Sequence, residues 1–155
     1  MYETLLVEAT HLGIDTYEKQ MSHRIKGLYA NNVIWINKNM ETSYEKGCIL
    51  AEELGHYHTS SGDIINQNII QNRKQEKVAR SWAYKKLVPL SKIIQAHKEG
   101  IRNRYELAQY LEITEEFLDN AIKRYKEKYG ATVNYKGYTI CFEPLGVIEW
   151  FYKNF

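Results

Sequence analysis

The run Ile49-Leu50-Ala51-Glu52-Glu53-Leu54-Gly55-His56 constrains the fold most, because it sets two adjacent carboxylates inside a segment of apolar and small residues. Thr42 and Glu45 have the Thr-x-x-Glu spacing of a helix-capping box, and the periodic run that follows predicts a helix from Thr42 through His56. The apolar flanks predict that this helix is buried. Buried neighbouring carboxylates are costly unless a cation or hydrogen bonds compensate them. Residues four apart share a helix face, so Glu52 and His56 can reach one metal ion together. Glu53 projects about 100° further round, where it can reach a water on that ion without taking a ligand position. Cys48 lies one turn before Glu52 on the same face, and its default reading is core packing.

The elements around this helix follow from periodicity and punctuation. Leu5, Leu6, Ala9 and Leu12 have helical spacing within Tyr2 to Leu12, and Gly13 ends the run. Residues 27–37 are rich in β-branched and aromatic types around Asn31-Asn32, which predicts a hairpin or two strands. After a loop from Thr59 to Asp63, a charged helix is expected from about Asn72 to Pro89, with Val78, Ala79, Trp82, Ala83 and Leu87 facing inward. Two or three short helices are expected between Leu90 and Tyr129, with Asn103 and Thr114 as N-caps and Gly130 as the stop. Val133–Tyr135 and Tyr138–Ile140, joined by Lys136-Gly137, predict a second hairpin. The fold class is therefore α+β, mainly helical with a small antiparallel sheet. Residues 1–90 form the expected core, and residues 91–155 a helical and hairpin extension packed on it.

Composition narrows the partners. With 44% hydrophobic and 26% charged residues, the 155-residue chain suits a folded soluble protein. Its 21 basic and 19 acidic residues are too evenly matched to imply nucleic-acid binding. Residues 105–125 have the apolar spacing of a helix-turn-helix, but the second helix would start with Glu115, Glu116 and Asp119, acids that repel phosphate. That region reads instead as a packing unit that supports the site or docks a protein. No apolar run is long enough for a membrane span and no signal-peptide pattern opens the chain, so a cytoplasmic location is expected. Cys48 and Cys141 are expected to be free. No glycine-rich phosphate loop follows a strand.

The second informative stretch runs from Glu76 to Pro89. Glu76, Ala79, Trp82, Ala83, Leu87 and Pro89 match in order a helix reading Glu-x-x-Ala-x-x-Phe-Ala-x-x-Leu-Leu-x-Pro, with Trp82 for Phe and Lys86 for the first Leu. With the Glu-Glu-x-x-His helix before it and Lys26-Gly27-Leu28-Tyr29 ahead of the strand, the chain resembles the ImmA/IrrE family of metallopeptidases. The resemblance covers roughly residues 1–90 and implies a zincin-like core. It implies that His56 and Glu76 are metal ligands, that Glu53 is the catalytic base, and that Glu52 is a ligand where the family usually has His. A carboxylate can ligate zinc there. Because two carboxylates and one imidazole neutralise a divalent ion, zinc would be a weaker Lewis acid, and manganese or iron become alternatives.

The resemblance further implies an endopeptidase acting on a protein substrate, a helix-turn-helix DNA-binding repressor of a phage or mobile element, with no direct contact to nucleic acid or membrane. The alternative is a non-catalytic antirepressor that binds its repressor and keeps the altered metal site as structural support. Three further residues are candidates near the site. His58, two positions beyond His56, reads by default as a helix-end residue. Asp63 either orients His56 through its second ring nitrogen or caps the next segment. Tyr84 is a candidate to stabilise an oxyanion.

Overall fold

The computed structural model describes residues 1–60 and 69–149. These form two compact units, Met1–Leu87 and Val88–Phe155, and the fold is α+β. The first unit contains α1 (Tyr2–His11), β1 (Asp15–Lys19), β2 (Gly27–Ala30), β3 (Val33–Asn37), α2 (Ser43–Thr59) and α3 (Ile69–Leu87). The second contains α4 (Leu90–Lys98), α5 (Arg104–Leu111), α6 (Glu115–Tyr129), β4 (Thr132–Tyr135), β5 (Tyr138–Phe142) and β6 (Leu145–Glu149).

The first sheet has the order β1-β3-β2. β2 and β3 are the expected hairpin, and Asn31 and Asn32 both take positive φ, 50° and 60°, as a two-residue turn with the twist of a hairpin requires. β1 was not foreseen, and it pairs with β3 in parallel, Asp15 opposite Val33. Central β3 is buried, with Ile34 and Ile36 wholly excluded from solvent, while Trp35 on the other face packs against Tyr17 at 5.1 Å. The Asn37 amide, at the end of β3, donates to the carbonyls of Met21 (3.3 Å), Ser22 (3.1 Å) and Ile25 (2.8 Å). Those bonds fix the loop that delivers β2 to its place.

Helix α2 starts as the capping box predicts: Thr42 Oγ1 accepts from the Glu45 amide at 3.1 Å. It is buried almost all round from Gly47 to Gly55, because α1, the sheet and α3 each take one of its faces. Helix α3 extends a little before the expected start at Asn72 and buries Ala79, Ala83 and Leu87, spaced four apart. Val78 corrects the sequence reading. It lies about 100° off that row and is 51% exposed, since the α2 contact uses only the narrow alanine stripe. A Cβ on Gly55 would stand 2.3 Å from the Ala79 carbonyl oxygen, so the two helices touch through their backbones.

In the second unit the N-caps fall where expected, with Asn103 accepting from the Glu106 amide at 2.8 Å and Thr114 from that of Phe117 at 3.1 Å. Glu112, at φ 58°, ends α5, and Gly130, at φ 82°, follows α6. Lys136 and Gly137 turn the β4–β5 hairpin, to which β6 adds an unforeseen third strand. Neither Cys48 nor Cys141 is in a disulfide, and no helix among the described residues is long and apolar enough to cross a membrane.

The Gly55–Ala79 contact yields a stability prediction. Gly55→Ala puts a methyl group into a carbonyl that is fixed by two helices, and is expected to destabilise the protein by about 2–3 kcal/mol in denaturant unfolding. An unfolding midpoint equal to the parent's would show that the helices separate without cost.

Candidate metal centre

Helix α2 supplies Glu52, Glu53 and His56, and helix α3 supplies Glu76 and Arg80. His56 directly follows Gly55, and Glu76 precedes Ala79 by less than a turn, so the backbone contact fixes how these two side chains meet. His56 Nε2 and Glu76 Oε2 lie 3.2 Å apart. The contact raises the His56 pKa, which burial opposes, and lowers that of Glu76. Arg80 Nε stands 3.9 Å from the same Glu76 oxygen.

Glu53 is 9% exposed, and burial pushes its carboxyl up to about 7, against the pull of His56 and with the repulsion of Glu76 and Glu52. Burial also raises Glu52, and Arg80 is the strongest influence in the opposite direction. On the far side of Glu53 lies Gly27 of β2. A Cβ at that position would come 2.6 Å from Ile49 Cγ2 and 3.1 Å from Glu53 Oε1. The bare glycine therefore lets the carboxyl lie against the strand. Between β2, α2 and α3 a cavity of about 230 Å³ opens, lined by Gly27, Leu28, Tyr29, Glu53, His56, Gln75 and Glu76.

Glu53, His56 and Glu76 are thus on one cavity. Glu52 is half-buried on α2 and does not line it. His58 stacks on Trp82 with ring centroids 4.5 Å apart, and Trp82 thereby covers the end of α2 instead of filling the core. Tyr84 is buried at 7% exposure and is not among the lining residues. Asp63 lies outside the described residues. The sequence reading did not include Gln75, nor Tyr29 as part of the cavity wall. The alternation of β2, with Gly27 and Tyr29 on one face, was the available signal for Tyr29.

The donors suit a hard or borderline divalent cation. A nitrogen and an oxygen each about 2.0–2.2 Å from a tetrahedral ion lie about 3.3 Å apart, and the His56–Glu76 separation is close to that. Among the described residues no three His, Cys, Asp or Glu side chains are already gathered into a cage, so a third donor would have to swing in.

A histidine paired with an acid across two helices, beside a buried carboxyl of raised pKa on a cleft, is an arrangement shared with the metallopeptidases. The IrrE N-terminal-like domain of that class matches residues 9–123, about three quarters of the chain, from the end of α1 into α6. The chain belongs to this metallopeptidase family. No curated protein and no solved structure matches it.

The shifts also set a pH dependence. The raised His56 pKa contributes stability below about pH 6.5 that is lost as pH rises through its folded value. Burial raises Glu53 and Glu52 too, so ionising them in the folded state costs stability as pH climbs above the ordinary carboxylate range, for Glu53 through about 7. Glu76 acts oppositely: its contribution is present above the ordinary carboxylate range and is lost only as pH falls through its lowered folded value. The metal-free protein is therefore expected to melt several degrees higher at about pH 5.5 than at about pH 8. Glu53→Gln should remove much of the difference, and a flat profile in the parent would contradict the burial of these carboxyls.

Proposed function

We propose that the protein is a metal-dependent endopeptidase in which His56, Glu76 and Glu52 hold the ion, zinc in the first instance with manganese or iron as alternatives, and Glu53 is the general base. The observation that carries this reading is the 3.2 Å approach of His56 to Glu76 on the same cavity as a nearly buried Glu53. When bound, the ion supplies Lewis acidity toward water and the scissile carbonyl. Glu53, with a pKa of about 7, is poised near neutral pH to take a proton from water and pass it to the leaving amine. Burial produces that pKa, and the gap left by Gly27 leaves the carboxyl room beside the strand.

The cleft also suits an extended peptide. Among the described residues β2 pairs with β3 alone and stands at the edge of the sheet, and Leu28 on it is 48% exposed. A substrate strand can add to that edge by main-chain hydrogen bonds and lay its carbonyl over the cavity. The family resemblance directs the activity to a helix-turn-helix repressor of a phage or mobile element, in a cytoplasmic setting. His58, Asp63 and Tyr84 have supporting parts at most in this reading, since neither His58 nor Tyr84 lines the cavity.

The test combines elemental analysis with cleavage of the purified repressor. The parent should carry one equivalent of metal, and Glu76→Ala should lose it. Glu53→Gln should keep the metal yet cut the repressor at least about a hundredfold more slowly. Relief of repression by Glu53→Gln equal to the parent's would favour the non-catalytic antirepressor instead.

A further inference from the structure

Two carboxylates and one imidazole carry enough negative charge to cancel a divalent ion completely, which leaves little field to polarise a peptide carbonyl. The structure places one more charge beside this set. Arg80 follows Glu76 by one turn of α3, and its Nε is 3.9 Å from Glu76 Oε2, the oxygen that also faces His56. Among the described residues Glu76 is the only carboxylate within ion-pair distance of Arg80. The other cation acting on this corner, Lys26, is engaged with Glu45 at 3.8 Å. On α2 the facing charges are Glu52, Glu53 and His56, and Arg80 acts on both glutamates.

We propose that Arg80 is the charge-balancing residue of the metal centre: its guanidinium, held beside Glu76, restores the net positive charge that Glu52 and Glu76 together would remove. This rests on the metallopeptidase reading above. Arg80 need not touch the reacting atoms; it is a positioning residue that acts through Glu76 and through the field of the cavity. Its half-exposed side chain, 54% accessible, keeps that field partly screened and therefore sensitive to salt. Arginine suits the position because its charge cannot be lost near neutral pH.

The sign of one measurement separates this role from a merely structural one. If Arg80 only braced Glu76, its removal would loosen the metal. If it balances charge, removing it relieves repulsion between two cations and tightens the metal while slowing the reaction. Zinc affinity is to be measured by competition with a chromophoric chelator for the parent, Arg80→Gln and Arg80→Lys, alongside melting temperature and peptide-cleavage kinetics. Arg80→Gln should bind zinc about tenfold more tightly, the size of effect Coulomb's law gives for a solvent-screened charge near a divalent ion. Its kcat should fall by a similar factor with KM little changed, and the effects should shrink as salt rises. Arg80→Lys should restore both quantities at neutral pH.

Weaker or unchanged zinc binding in Arg80→Gln, or an unchanged kcat, overturns the proposal and leaves the metal centre itself standing. A parent protein that binds no zinc, manganese or iron overturns the metal centre, and the role of Arg80 with it. An Arg80→Gln protein with an altered melting temperature is judged against Arg80→Lys, and failure of that charge-preserving variant to restore zinc affinity also overturns the proposal.

Discussion

The centre depends on one place where two helices have no side chain between them. Gly55 presents a bare Cα to the carbonyl of fully buried Ala79, and any larger residue at Gly55 would push α2 and α3 apart. The same contact sets the helix separation and with it the 3.2 Å approach of His56 to Glu76. Gly27 plays the matching part on the opposite side of α2. With a Cβ there, Ile49 and the Glu53 carboxyl would be displaced from β2. Helix α2 is thus pressed between a strand and a helix at two glycines, and the cavity is the wedge left where the three elements diverge.

That geometry has an electrostatic cost which is also its use. Glu53 is nearly buried, and its burial outweighs the pull of His56, so the fold accepts a carboxyl that resists ionisation. A surface carboxylate would be fully ionised at neutral pH and a weak proton acceptor, whereas one titrating near 7 both takes and releases a proton readily. Strain of this kind is tolerated because the rest of the unit is conventionally packed: Ile34, Ile36, Leu50 and Leu54 are wholly excluded from solvent around the same helix. The acidic corner is balanced unevenly, with His56 and Arg80 on Glu76 and, among the described residues, no ion pair on Glu53.

What could be read from the sequence was what local chemistry dictates. Thr42, Asn103 and Thr114 announce helix starts because an N-cap is a contact between residues three apart. Asn31-Asn32 and Lys136-Gly137 announce hairpins because positive φ is needed at both turn positions. The pairing of His56 with Glu76 came through only because the motifs on the two helices resembled those of a family. β1 was not legible: Asp-Thr-Tyr-Glu-Lys has almost no buried residue, and its strand conformation is imposed by the partner Val33–Asn37. Val78 misled because apolar character is not burial when the neighbouring helix needs only alanines. The Asn37 clasp on residues 21–25 is a non-local contact, which periodicity cannot reveal.

The second unit shows how the same elements can carry a different meaning. α5 and α6, joined through Glu112, Ile113 and Thr114, have the order of a helix-turn-helix, and the first turn of α6 is where a DNA reader would meet base edges. Here that turn holds exposed Glu115 and Glu116, which sit favourably at the positive end of the helix dipole and would be repelled by phosphate. Asp119, one turn on, accepts from Arg104 at 2.7 Å and so ties α6 to the start of α5. Asp119 therefore has a structural part in holding the two helices. A phosphate backbone brought to this turn would meet the exposed carboxylates of Glu115 and Glu116.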